Sequence, residues 1–461
     1  MRLEDIKNVY FVGIGGIGMS AIARWFNKRG AKVGGYDRVE TNLTTRLSLE
    51  GMWIHYEDSR KDIPKHFLNR EDTLVIYTPA IPEKHGELKF FRNKKFDVRK
   101  RAEVLGIISM DHFTIAIGGT HGKTTTSSMV AHMLQYHEKK CSAFIGGIMS
   151  NYETNLLIGD KDAPVVVEAD EFDRSFHWLM PNYTVVTSVD PDHLDIYGDE
   201  MEMRKAFGQF LQQSGEEGKT LVHYKAAEKV NTHLEHLYYT YGMEGGDIRA
   251  HALRAVNGIF IFNYHGSRTI KDINLLVPGF HNVENALAAI TVAIDMGMDS
   301  ESIKEAMKSY RGVKRRFEYI IKSEKFIFID DYAHHPEEIR AFLRSVKALF
   351  PKKKLTAVFQ PHLFSRTRDF QAGFADSLML ADELILLDIY PAREEPIPGV
   401  TSENIFNKVF IQNKHLIKKD ELMDTLKSLD VELLVTIGAG DIDKEVPRIK
   451  EYYEYKLKRE A

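Results

Sequence analysis

The sequence predicts an α/β protein of three domains: a Rossmann-like N-terminal domain, a central phosphate-loop ATPase-type α/β domain and a C-terminal Rossmann-like domain. Three observations carry that expectation. An apolar run enters a glycine turn three times, in VYFVGIGGIG near the start, FTIAIGGTHGKTTT at 113–126 and ELLVTIGAGDID at 432–443. Helix-like patterns alternate with short β-branched runs throughout, as parallel sheets flanked by helices require. A length of 461 residues suits about three domains of ordinary size.

The first boundary is expected near residue 107, where the helix-like KRAEVLGIIS ends ahead of a strand that begins at Phe113. The second is expected near 313, in YRGVKRRFE, before the strand KFIFIDDY. The chain then divides into 1–107, 108–313 and 314–461. Residues 245–275 read as short antiparallel strands inside the middle domain, and the Lys/Glu-rich C-terminal end reads as a solvated helix.

Composition narrows the function classes. The hydrophobic share of 43% and charged share of 28% are those of a globular protein that can bury a core in each domain. A net charge of −4 argues against a dedicated nucleic-acid binder. The single cysteine, Cys141, excludes an internal disulfide and fits a reducing compartment, where it reads as a small buried side chain. The first apolar run is short and glycine-broken, unlike a secretory signal, and no stretch reaches the length of a membrane span. A cytoplasmic protein is expected, as a monomer or homodimer.

In the first glycine turn, Gly13, Gly15 and Gly18 fit G-x-G-x-x-G, and Asp37 follows after a second apolar run. This dinucleotide fingerprint requires a pyrophosphate and a ribose, not a nicotinamide; a UDP-sugar has both. The second turn, Gly118 to Thr126, is a shortened phosphate loop: Ile117 stands where the usual pattern has its first glycine. Backbone amides there can surround phosphate oxygens, Lys123 would neutralise the β/γ-phosphates and the Thr124 hydroxyl would hold Mg²⁺. The next strand ends in Glu168, Asp170 and Glu171, oxygen ligands that suit a magnesium nucleotide. His193, after the following strand, is a further candidate metal ligand. Two anion-binding turns imply two phosphorylated ligands, one of them ATP; a dehydrogenase has no use for the second.

The C-terminal third places polar groups at three successive strand ends. They include Asp331, Tyr332 and His334 after FIFID, His362 and Arg366 after LTAVFQ, and Tyr390 after ELILLD. In a parallel sheet all three ends face one crevice. Arginine there suits a carboxylate, because its planar fork binds two oxygens at once.

Taken together, GIGGIGMSAIA, GTHGKTTT, EADE, DHLDIYGD, HNVENALAA, RRFE, DDYAHHP and DIYPAREEPIPG resemble, in order, the motifs of the Mur ligases of peptidoglycan synthesis. The resemblance runs from about residue 8 to 443, and is nearest to the members that join L-alanine to UDP-N-acetylmuramate. It implies an ATP- and Mg²⁺-dependent amide ligase that works through an acyl phosphate. Gly13, Gly15, Gly16 and Gly18 would lie at the pyrophosphate of the UDP-sugar, with Asp37 near the uridine. Gly118, Thr120, His121, Gly122, Lys123, Thr124 and Thr125 would hold ATP; Thr124, Glu168 and His193 would hold the metal. His281, Asn282 and Asn285 match adenine-contacting positions, and Arg316 a domain-closing arginine. Asp331, Tyr332, His334, His362 and Arg366 would form the third-domain site, with His334 or a neighbouring carboxylate as the base for the amine.

Two positions stand apart. Leu363 occupies a place where the family often has a basic residue, which shifts carboxylate binding towards Arg366. Lys205 is a candidate for the carbamylated lysine of some Mur ligases, although its spacing also suits a solvated helical lysine. Two other functions compete: a recycling ligase that joins a tripeptide to the same nucleotide, and a nucleotide-regulated binding protein without ligase activity.

Overall fold

The structure is a computed structural model and describes residues 6–110, 112–138, 140–191, 194–230, 237–392 and 394–459. The chain forms two compact units. The first comprises residues up to His251 with Tyr264–Ile270 and Glu284–Met307; the second comprises Ala252–Asn263, Lys271–Val283 and Lys308 onwards.

Two sheets build the first unit. The N-terminal sheet holds β1 (Asn8–Val12), β2 (Lys32–Tyr36), β3 (Trp53–His55), β4 (Thr73–Tyr77) and β5 (Asp97–Lys100). Its order is β3-β2-β1-β4-β5, and every pairing is parallel. Strands buried on both faces by helices read as continuous apolar runs, and β1 is buried along its whole length. The chain reverses its order beside β1, so the glycine turn that follows β1 lies at the switch point where such sheets bind ligands.

The central sheet holds β6 (Thr114–Gly118), β7 (Ser142–Met149), β8 (Thr154–Leu157), β9 (Val165–Glu168), β10 (Tyr183–Val186), β11 (Lys219–His223) and β12 (Leu237–Tyr241). The order β12-β11-β10-β6-β9-β7-β8 puts β6 between β9 and β10, and only the β7–β8 pair is antiparallel. The two carboxylate- and hydroxyl-bearing strand ends therefore flank the phosphate loop from either side.

A buried polar staple joins the two sheets. Arg24, on the helix Ile17–Lys28, grips Glu50 through Nε (2.8 Å) and Nη2 (2.7 Å) and donates through Nη1 to Asn155 of β8 at 2.5 Å. Fully buried Asn155 donates in turn to the Ile17 carbonyl at 2.6 Å and the Ser20 hydroxyl at 3.0 Å. Every polar atom in this contact is paired, as burial demands.

The second unit is built on β16 (Glu318–Lys322), β17 (Ile327–Asp331), β18 (Leu355–Phe359), β19 (Glu383–Leu386), β20 (Asn413–Leu416) and β21 (Leu433–Ile437), in the order β16-β17-β21-β18-β19-β20. All pairs but β16–β17 are parallel. The edge strand β16 has no counterpart in the sequence reading, because its half-buried EYIIK lacks turn signals on both sides.

The helix at the first expected boundary spans Arg101–Met110. Two other expectations need correction. The strands β13 (Arg249–Val256), β14 (Ile259–His265) and β15 (Thr269–Leu275) do form a three-stranded sheet, but its residues are divided between the two units. The C-terminal helix Val446–Arg459 is not merely solvated: Ile449 and Tyr453 are buried, and Tyr453 stacks on Phe326 at 4.0 Å. Among the described residues no helix is long and apolar enough to cross a membrane.

Candidate active site

The phosphate loop is shaped by two glycines in the left-handed region. Gly119 has φ +137° and Gly122 has φ +81°, directly before the helix Lys123–Leu134. A side chain at either is strained, and a Cβ at Gly119 would also strike Thr187. The end of β10 braces the loop. The Ser188 hydroxyl contacts the Thr120 hydroxyl at 2.9 Å and accepts from the His121 amide at 2.7 Å. Thr187 donates to the Gly118 carbonyl at 3.1 Å. Sequence reasoning passed over Thr187 and Ser188, since hydroxyl residues after a strand carry no charge signature.

On the other side of the loop stands β9. Glu168 accepts from Thr124 Oγ1 at 2.9 Å and from the Gly146 amide at 2.7 Å. A Cβ at Gly146 would sit 2.5 Å from both carboxylate oxygens, so the bare glycine lets the Glu168 carboxylate rest where it does. Thr124 and Glu168 thus form an adjacent pair of hard oxygen donors, the set that suits Mg²⁺ with its remaining positions on water and phosphate. Among the described residues no cluster of three His, Cys, Asp or Glu side chains could hold a metal. His193 lies outside the described residues. Lys205, on the helix Glu200–Gln212, is an exposed lysine whose Nζ meets Glu202 at 2.6 Å.

The Lys123 side chain lies across the loop, donating to the Gly119 carbonyl at 2.5 Å and pairing with Glu171 at 2.7 Å. Burial opposes its charge, but Glu171, Asp170 and Glu168 together hold its pKa above the ordinary lysine value. Glu171 is 2% exposed, and burial pushes its carboxyl up to about 7 against the pull of Lys123.

The proposed adenine positions part company. Asn285 is buried behind the loop, where its Oδ1 accepts from Thr126 at 3.1 Å and would meet a Cβ at Gly122. Asn282, on the same helix (Phe280–Asp295), donates to the Pro278 carbonyl at 3.1 Å. His281 lies at the start of that helix and fills the space beside Gly279. Thr125 is buried one position into the phosphate-loop helix after Thr124.

In the N-terminal turn, Gly13 has φ +95° and Gly16 precedes the first helix. Asp37 turns one carboxylate oxygen back onto the Gly15 amide at 2.7 Å. A Cβ at Gly15 would meet both Asp37 and Thr44, and one at Gly18 would collide with Arg101.

The second unit gathers its candidates at the C-terminal ends of β17, β18 and β19. Tyr332, His334, His362 and Tyr390 form a chain of rings with successive centroids 5.4, 6.2 and 5.9 Å apart. His334 Nδ1 lies 3.0 Å from the Tyr332 carbonyl and 3.5 Å from Glu338. A carbonyl only accepts, so Nδ1 carries the proton and Nε2 is the basic nitrogen. Asp331 accepts from the Phe317 amide at 2.7 Å and the Ala333 amide at 2.8 Å, while burial pushes its carboxyl up to about 7.

Two arginines separate cleanly. Arg315 is structural: it bonds Asp330 at 3.2 Å and the Gly438 carbonyl at 2.5 Å. Arg316 has no ion-pair partner among the described residues and lies 5.8 Å over the Tyr332 ring. Arg366 sits half-buried in the first turn of the helix Phe364–Leu378. Asp369, a possible partner by sequence, is engaged by Arg368 at 2.7 Å. Leu363 precedes that helix with φ +72°, and its amide donates to the Tyr390 carbonyl at 3.0 Å. Glu394 caps the same helix end, accepting from the Ser365 amide at 3.0 Å.

Parallel sheets with a braced phosphate loop and paired oxygen donors define a phosphate-loop α/β enzyme. Its sequence matches the Mur ligase family catalytic domain over residues 8–113, the Mur ligase middle domain over 117–293 and the Mur ligase glutamate ligase domain over 315–440. The chain belongs to the Mur ligase family. It is 49% identical to a UDP-N-acetylmuramate–L-alanine ligase of Phocaeicola vulgatus, over 97% of this chain and 98% of that one. Identity to the ligase of the same name from Parabacteroides distasonis is 48%, over 98% of each chain. The solved structure of UDP-N-acetylmuramate–alanine ligase from Thermotoga maritima superimposes with a TM-score of 0.83 at 30% identity, covering 97% of this chain and 99% of that one.

Proposed function

We propose that this protein uses ATP to join L-alanine to the lactyl carboxylate of UDP-N-acetylmuramate, through an acyl phosphate. One observation carries the reading: similarity to ligases named for that reaction runs through nearly the whole chain, phosphate loop and polar crevice included. The three domains would divide near residues 107 and 313, holding the UDP-sugar, ATP and the amino acid in turn.

A carboxylate is a poor electrophile, so it has to be activated. The lactyl oxygen attacks the γ-phosphorus of ATP and ADP leaves. Lys123 leaves Glu171 for the phosphates, and its charge stabilises the transferring group. Thr124 and Glu168 would hold Mg²⁺, which when bound would supply further neutralisation of that charge. The amine of L-alanine attacks the acyl carbon and phosphate leaves; His334 Nε2 takes the proton the amine must lose. Arg366 receives the alanine carboxylate beside Tyr332 and His362, and Arg316 closes on the nucleotide. The protein would work in the cytoplasm as a monomer or homodimer.

The test is release of ADP and phosphate with each substrate omitted in turn, followed by mass spectrometry of the nucleotide. All of ATP, Mg²⁺, UDP-N-acetylmuramate and L-alanine should be required. Turnover with a tripeptide but not with alanine would make it a recycling ligase. ATP hydrolysis indifferent to both co-substrates would overturn the ligase reading.

A further inference from the structure

A cavity of about 140 Å³ lies in the first unit, walled by the helices Ile17–Lys28 and Arg101–Met110 and by β7 and the end of β9. Ile22, Leu105 and Phe144 line its apolar side, Glu168 lies at one end, and Arg101 with Asp170 forms its polar rim. Arg101 heads the helix Arg101–Met110 and is 21% exposed, and its Nη2 donates to Asp170 Oδ2 at 2.8 Å. Asp170 is its only hydrogen-bond partner among the described residues, which leaves most of a five-donor fork unused. The third glycine of the fingerprint explains the arginine's position. A Cβ on Gly18 would collide with Arg101 Nη1, so the guanidinium lies against bare backbone at the pyrophosphate turn. That glycine is usually read as room for helix–strand packing; here it admits a cation.

The location matters for the reaction. A nucleotide sugar with its pyrophosphate at the Gly13–Gly18 turn must bring its lactyl carboxylate to Glu168 and Lys123. The cavity is lined by Gly18 of that turn and by Glu168, and Arg101 is the cation in its lining. We propose that Arg101 is a substrate-binding residue that receives an oxyanion of the nucleotide sugar, with Asp170 occupying that fork until the substrate arrives. The proposal rests on the reading of the first domain as a uridine-nucleotide site. Charge-assisted, forked recognition of this kind is specific to arginine.

Calorimetric titration of the full chain with UDP, UDP-N-acetylglucosamine and UDP-N-acetylmuramate tests it, using wild type, Arg101→Ala, Arg101→Lys and Asp170→Asn. Arg101→Ala should weaken UDP-N-acetylmuramate by about tenfold or more, with affinity for a non-hydrolysable ATP analogue within about twofold. Arg101→Lys should recover part, and Asp170→Asn should bind the nucleotide sugar as tightly as wild type or tighter. Equal weakening of all three ligands places the pyrophosphate on Arg101; weakening of UDP-N-acetylmuramate alone places the carboxylate there. Wild-type affinity in Arg101→Ala, or an Asp170→Asn that weakens binding as much as Arg101→Ala does, overturns the proposal and leaves a structural ion pair. If Arg101→Ala does not fold, Arg101→Lys and Asp170→Asn decide by the same criteria. Wild type that binds no uridine nucleotide would instead refute the functional reading beneath it.

Discussion

Lys123→Ala tests the phosphate loop in two ways. The lysine is paired with Glu171 at 2.7 Å, and Glu171 is 2% exposed. Removing the cation leaves a buried carboxylate with no counter-charge, which would protonate rather than stay ionised. Neutralising a carboxyl of ordinary pKa at pH 7 costs about 1.4 kcal/mol per pH unit, or about 3–4 kcal/mol in all. That agrees with the roughly 3–5 kcal/mol typical of breaking a buried pair. The sign follows from protons bound: the folded variant keeps a proton on Glu171 that the unfolded chain loses above about pH 4.3, so its deficit grows as pH rises. Because the wild-type Glu171 carboxyl already stands at about 7, wild type loses part of the same stability over this range, so urea unfolding followed at pH 5.5 and pH 7.5 should show the deficit larger at the higher pH by about 1 kcal/mol. Adding Glu171→Gln should restore most of the stability without restoring turnover, which should stay down by roughly a hundredfold or more. A pH-independent deficit, or none, would refute the buried-pair reasoning; near-normal kcat would refute the phosphate-loop role.

Gly146→Ala would place a methyl 2.5 Å from both Glu168 oxygens and push the carboxylate roughly 1 Å aside. A displacement of that size should cost on the order of a hundredfold in kcat, with Glu168→Asp in the same chain recovering part; an unchanged kcat would separate Glu168 from the metal. Arg366→Ala should raise the KM for L-alanine strongly and Arg366→Lys rescue only part, whereas unchanged KM with lower thermal stability would move carboxylate recognition elsewhere. Asp331 is held up at about 7 by burial, so it contributes stability that is lost as pH rises towards 7; Asp331→Asn should flatten the slope of stability between about pH 4 and 7, and an unaltered slope would assign it to other groups.

The sequence carried the sheets because their strands are apolar runs, and it carried the loops because glycine turns follow β1, β6 and β21. It placed Thr124 near Glu168 for the same reason: parallel strands that neighbour each other in a sheet end on one edge of it. Long-range side-chain geometry was not legible. Nothing local to GKTTT says that Lys123 will turn onto Glu171, 48 residues away. That Asn285 stands behind Gly122 and accepts from Thr126 was not legible either, because helix position does not reveal which face meets the loop. Ser188 and Arg101 were passed over, being ordinary residue types whose meaning depends on a neighbour distant in sequence.

The staple of Arg24, Glu50 and Asn155 bears on how such enzymes can be recombined. Arg24 and Glu50 belong to the N-terminal sheet region and Asn155 to the central one, and Arg24 and Asn155 are buried. A chimera that grafts a different nucleotide-sugar module onto this central sheet would strand Asn155 with no partner, at a cost of about 1–3 kcal/mol for each orphaned polar group. The N-terminal module is therefore not freely exchangeable. A graft that changes substrate preference has to carry Asn155 and the Ile17–Ser20 turn with it, so the inheritable piece of specificity is larger than the glycine fingerprint that announces it.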